Sequence, residues 1–141
     1  MAAGLQITQI DHVSVIITDV ERSRQFYRDL LGLKEIAKPR TFDFIVVWFD
    51  LGNQQLHLLL KDQPDMRSPR HFALRVKDAA AARSYFREHG VRIEETTPIP
   101  GADRFFIADP DQNRIEIIQW LEPYDPAVSG AREFDRQPAR R

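Results

Sequence analysis

Cysteine is absent from the 141 residues. Disulfides and thiolate metal sites are thereby excluded, and any metal must be held by nitrogen and oxygen donors. Neither sign of charge is in excess: the formal net charge is −1, which gives no electrostatic basis for nucleic acid or membrane as a partner. No apolar run approaches the length of a membrane span. The start, Met1-Ala-Ala-Gly-Leu5, lacks a basic region followed by an apolar stretch, so the expected location is the cytoplasm. What remains, 43% hydrophobic and 29% charged residues, is the balance of an ordinary globular protein large enough to bury a core.

The sequence does contain an internal repeat. Moving the stretch around His71 back by 59 positions lays His71 on His12, Asp78 on Asp19, Arg83 on Arg24, Phe86 on Tyr27 and Arg87 on Arg28. At the same offset Glu116 falls on His57. Repetition at a fixed spacing means that one supersecondary unit is used twice. The four residues form two related pairs, and all four can bind a metal.

Read in order, residues 10–17 are β-branched and partly alternating, which predicts a strand with Val13, Val15 and Ile17 on one face and His12 and Ser14 on the other. Thr18 or Asp19 can cap a helix running to Leu30 or Leu31, with Val20, Phe26, Tyr27 and one of these leucines as its buried stripe and Gly32 as its stop. Strands follow at 33–36, 42–49 and 54–60. The polar, proline-containing segment 61–69 connects the copies. The second copy has a strand at 70–76, an alanine-rich helix from Asp78 to Gly90, and strands at 91–95, 104–108 and 114–121, the last two joined by a tight turn at 109–113. The expected organisation is one domain, 1–121, with modules at about 10–60 and 70–121. Residues 122–141, with three prolines and four arginines, form a tail suited to lying on a partner subunit.

Alternation places Leu56, Leu58 and Leu60 on one face of their strand and Gln55, His57 and Leu59 on the other. It also opposes Phe72, Leu74 and Val76 to His71, Ala73 and Arg75, and Ile115 and Ile117 to Arg114, Glu116 and Ile118. His12, His57, His71 and Glu116 therefore all point away from the helix-packed face. Such a set favours Fe, Mn, Co, Ni or Zn. Each residue also has a plainer reading: a strand histidine is commonly a satisfied polar residue, and Glu116 could be solvated or paired with Arg114 or Arg75. His89, in the helix-ending Glu-His-Gly, reads as structural. The shared repeat phase favours a metal site for the other four, with His57 the weakest member.

Four stretches together, Ile10-Asp-His-Val-Ser-Val15, Phe26-Tyr-Arg-Asp-Leu-Leu-Gly-Leu33, Arg70-His-Phe-Ala-Leu-Arg-Val76 and Phe106-Ile-Ala-Asp-Pro-Asp-Gln-Asn-Arg-Ile-Glu116, resemble the vicinal oxygen chelate superfamily over 10–121. That resemblance implies an α+β fold of two βαβββ modules forming an open, eight-stranded, barrel-like sheet, assembled as a homodimer, with a divalent metal in the cup. It implies His12, His71 and Glu116 as ligands, and Glu116 as a base able to leave the metal. The remaining ligand position, a glutamate in glyoxalase I, is His57 here. The implied activities are glyoxalase-like lyase or isomerase chemistry, or ring-cleaving dioxygenase chemistry, on a small substrate chelated through vicinal oxygens. The alternatives are a fosfomycin-type thiol transferase, whose lysine-bearing loop has no counterpart in 96–103, and a non-enzymatic binder of the bleomycin-resistance type. Phe44, Trp48, Arg75, Phe105 and Arg114 are the candidate substrate-side residues.

Overall fold

The β-branched alternation of the first stretch and the glycine-bounded helix after it recur, and so do the elements they form. A computed structural model describes residues 4–131. The first copy comprises β1 (His12–Ile17), α1 (Val20–Arg24) continued by a π-helical segment (Gln25–Leu30), β2 (Lys34–Ile36), β3 (Val46–Asp50) and β4 (Gln55–Leu60). The second comprises β5 (His71–Arg75), α2 (Ala79–Glu88), β6 (Glu94–Glu95), β7 (Ala102–Ala108) and β8 (Arg114–Trp120), and a short α3 (Pro126–Ser129) follows. The sheets have equivalent orders, β1-β4-β3-β2 and β5-β8-β7-β6. This is the expected α+β arrangement of two βαβββ modules. By packing, the chain divides into two compact units, Met1–Phe72 with Ala108–Arg114, and Ala73–Ile107 with Ile115–Arg141.

The helix starts follow from local chemistry. Asp19 accepts from Arg22 N (2.9 Å) and Asp78 from Ala81 N (2.9 Å), so the repeat-related aspartates make the same cap, each satisfying a donor the first turn leaves unpaired. Of the two residues that could cap the first helix, Asp19 does so. Gly32 and Gly90 both lie at φ 73°, where an L side chain would be strained, and each stops its helix.

Within the first unit, Ile17, Tyr27, Phe49, Leu56 and Leu58 are buried. The buried stripe of the first helix differs from expectation. It consists of Ser23, Phe26 and Tyr27, because the π-helical step, with Leu31 N donating to Phe26 O at 2.9 Å, shifts the phase that an even 3.6-residue period would give. Tyr27 donates to Asp109 Oδ2 at 2.6 Å. The Asp109 carboxylate also accepts from the backbone of Asp111 and Asn113 and from the Asn113 amide. Asn113 in turn donates to Ile16 O, and Asp111 receives Thr18 and Arg22. The 109–113 turn is thus locked to β1 and the start of α1. Burial raises the Asp109 pKa despite these donors, and burial, followed by the neighbouring Asp109 charge, holds Tyr27 well above the ordinary phenol value.

In the second unit, Phe86, Phe105, Phe106, Ile107, Ile115 and Ile117 are buried. Arg83 reaches across this unit to Glu95 and Asp103 (2.8 Å each) and lies over the Phe105 ring. Its guanidinium holds Asp103 below the usual carboxylate range. No helix among the described residues is long and apolar enough to cross a membrane. Residues 122–131 contain α3, capped by Asp125; the rest of the proposed tail lies outside the described residues.

Candidate functional site

Parallel pairing of β1 with β4 sets Ser14 opposite His57, and antiparallel pairing of β3 with β4 sets Trp48 opposite the same histidine. Side chains at opposed and diagonal positions share one face of a sheet. Trp48 therefore stacks on His57 with ring centroids 3.8 Å apart and planes 5° apart, and His12 stacks on the other side at 4.2 Å and 23°. The row continues outward, with Phe42 edge-on to Trp48 at 5.9 Å and stacked on Phe44 at 4.6 Å.

His12 and His71 are prepared in the same way. His12 Nδ1 donates to Asp11 Oδ1 at 2.8 Å, and His71 Nδ1 donates to the Pro69 carbonyl at 2.9 Å. An acceptor on Nδ1 selects the neutral tautomer whose lone pair is on Nε2, which is how ligating histidines are commonly held. The contact alone is not diagnostic, since His89 makes it to Tyr85 O. His89 does so within its own helix and against the Tyr85 ring, which is the structural role its sequence position suggests.

His57 differs. It is buried, and its Nε2 lies 2.8 Å from Gln55 Oε1, so in this tautomer the lone pair is on Nδ1. Burial, with a smaller push from His12, lowers its pKa below the ordinary histidine value, so the ring is neutral near pH 7.

Glu116 is buried on β8 and accepts from Arg104 Nη1 at 3.0 Å, with side-chain exposures of 15% for the arginine and 10% for the glutamate. The same guanidinium donates to Thr97 O through Nη2 (2.7 Å) and Nε (3.2 Å). Burial excludes a solvated Glu116, and Arg104, absent from the sequence-derived candidates, is an ion-pair partner. Among the described residues no group of three or more His, Asp or Glu forms a ready metal cluster. The structure stacks His12 on His57. His71 and Glu116 lie on the neighbouring strands β5 and β8.

Phe105 is fully buried between Phe86 and Arg83, so it belongs to the core and not to a substrate surface. Phe44 is half exposed. Arg75 is exposed, and Arg114 lines a cavity of about 310 Å³ in the first unit.

Residues 9–117 match the family described as the Glyoxalase/Bleomycin resistance protein/Dioxygenase superfamily. Glyoxylase I 4 of Arabidopsis thaliana is 28% identical over 125 residues, 80% of this chain and 71% of that protein. The metallothiol transferase FosB of Staphylococcus epidermidis is 24% identical over 118 residues, 80% and 82% of the two chains. A crystal structure from Bacillus anthracis assigned to the glyoxalase family superposes with a TM-score of 0.77 at 28% identity, covering 83% of this chain and 98% of that one.

Proposed function

This chain belongs to the Glyoxalase/Bleomycin resistance protein/Dioxygenase superfamily, and from that premise we propose that it is a divalent-metal-dependent enzyme of the cytoplasm, active as a homodimer. Its substrate is a small molecule chelated through two adjacent oxygens, and its chemistry is of the glyoxalase-like lyase or isomerase kind, or of the ring-cleaving dioxygenase kind. The observation that carries this reading is that the candidate ligands occupy equivalent neighbouring strands in both sheets, His12 and His57 on β1 and β4, His71 and Glu116 on β5 and β8.

The donor chemistry fits such an ion. Two imidazoles have Nδ1 tied to an acceptor, a third is kept neutral by burial, and one carboxylate completes a set without sulfur, as suits Fe, Mn, Co, Ni or Zn. His12, His57, His71 and Glu116 would hold the ion. When bound it would act as a Lewis acid on the substrate oxygens. Glu116 would take up and return a proton through its carboxylate. Trp48 keeps the His57 ring in plane, and burial around Glu116 limits water.

Elemental analysis of protein purified without chelator tests the assignment. His71→Ala and Glu116→Ala should lose metal, and His57→Ala should hold it more weakly; full metal content in either of the first two ends the ligand reading. Refolding a mixture of His12→Ala and Glu116→Ala chains should restore metal binding if two subunits share the set, and should not if one chain supplies it all. A second reading, small-molecule binding without a metal, is favoured by one observation, the Arg104–Glu116 ion pair, since an arginine already neutralises that carboxylate. Metal-free wild-type protein would select it.

A further inference from the structure

The connector 65–70 does more than join the two modules, because it forms one wall of the cavity in the first unit. Arg67 and Arg70 from the connector and Arg114 from the start of β8 line this space, with Asp65 as the acidic residue among its lining groups. Three cations against one anion is a local excess that the chain's net charge of −1 does not lead one to expect. A cleft walled by one sign of charge concentrates ions of the other. The remaining wall is apolar, with Val13, Val15 and Phe72 prominent.

Two of the guanidinium groups, those of Arg114 and Arg67, are directed by the surrounding chain. Arg114 Nη1 donates to Pro69 O at 3.3 Å, Arg67 Nη1 approaches Gln112 Oε1 at 3.5 Å, and Arg70 N donates to Ser68 Oγ at 3.2 Å, which shapes the turn that carries it. Gln112 is at φ 69°, the only non-glycine residue at positive φ among those described. A backbone state that costs about 1–2 kcal/mol for an L residue is therefore retained at the cavity wall, where glycine would adopt it without strain. At about 310 Å³ the space is at the small end of ligand pockets and is suited to a small molecule more than to a polymer.

We infer that this cavity binds the oxyanion, a carboxylate or a phosphonate or phosphate, of a small organic molecule whose apolar body lies on Val13, Val15 and Phe72. Arginine is suited to the task because its planar fork matches two oxygens of such a group. His71 lines the same cavity. That the bound anion is part of the substrate rests on the function proposed above; the binding itself does not.

Calorimetry on the full chain, metal-loaded and metal-stripped, would use benzoate, phenylphosphonate and neutral benzyl alcohol as probes. One of the two anions should bind at least tenfold more tightly than benzyl alcohol, and its affinity should fall as salt is raised. Arg70→Gln and Arg114→Gln should each lower that affinity about tenfold, while Arg70→Lys retains part of it. The stronger of the two anions names the ligand class. Equal binding of all three probes, or anion affinity unchanged in both glutamine variants with unaltered melting temperature, overturns the inference. Glu116→Ala separates the two proposals. Anion binding kept while metal is lost supports both, and metal kept in Glu116→Ala while the arginine variants lose the anion removes the metal reading alone.

Discussion

Replacing Arg104 by methionine keeps most of the side-chain volume and removes the charge opposite Glu116. The two groups are 3.0 Å apart with side-chain exposures of only 15% and 10%, so solvent does little to screen the loss. Taking one charge out of a buried pair costs up to about 3–5 kcal/mol. The two hydrogen bonds to Thr97 O go with it, which places Arg104→Met near the middle of that range. For a chain of 141 residues, at about 3 °C per kcal/mol, the metal-free variant should melt roughly 10 °C lower.

Metal should then distinguish the two readings of Glu116. A ligand carboxylate that no longer has to leave an arginine binds the ion more tightly, and each tenfold gain adds about 1.4 kcal/mol to the stabilisation at saturating metal. Thermal melts with and without Mn²⁺ or Zn²⁺ should therefore show a larger metal-induced rise in Arg104→Met than in the wild type. A rise equal to or smaller than that of the wild type refutes competition between Arg104 and the ion. A loss below about 1 kcal/mol in the metal-free variant refutes the energetic reading of the pair itself.

Tyr27→Phe removes the 2.6 Å donor from the buried Asp109 carboxylate and should cost about 2 kcal/mol by denaturant titration at neutral pH. Because burial raises the Asp109 pKa in the folded state, the proton favours the fold and stability from this group falls as pH rises through that raised value. The deficit of Tyr27→Phe should accordingly shrink on acidification, when the neutral acid has less need of the donor; a pH-independent deficit would contradict this. In a Trp120→Phe background, Trp48 emission should drop on acidification as the stacked His57 ring gains its proton. Since burial and His12 lower the His57 pKa, the midpoint should fall below about 6.5, and the fold loses stability as pH falls through this range. A midpoint at or above that value would be inconsistent with the stacked, buried ring.

The elements that could be read from the sequence are those whose cause is local. Alternation gave β1, β4, β5 and β8 to within a residue or two, and Asp19 and Asp78 marked the helix starts because an N-cap is a property of four consecutive residues. Where causes are tertiary the reading diverged. Residues 42–45 have strand composition, yet β3 begins at Val46; Phe42 stacks on Phe44 and Lys38 Nζ takes the Phe44 carbonyl at 2.7 Å, an acceptor a neighbouring strand would otherwise use. The π-helical segment and the burial of Ser23 had no cue in the apolar period. Nor had Arg104, whose role depends on what β8 presents to it, or the strained Gln112, since the turn type was legible but not the conformation of each residue within it.

The repeat accounts for which strands carry the histidines, whereas their surroundings have diverged in a way that ranks them. Asp11, which braces His12, has a side chain 87% exposed, and an exposed contact of this kind contributes little. The brace of His71 is the Pro69 carbonyl, part of the backbone and beyond the reach of side-chain substitution. Removing the Asp11 carboxylate therefore leaves His12 with water as an alternative acceptor, while His71 keeps its tautomer so long as the turn before β5 keeps its shape. Proline at 69 fixes one dihedral of that turn. The second copy thus holds its histidine more firmly than the first, and the preorganisation of the proposed ligand set depends more on the connector than on the side chains around β1.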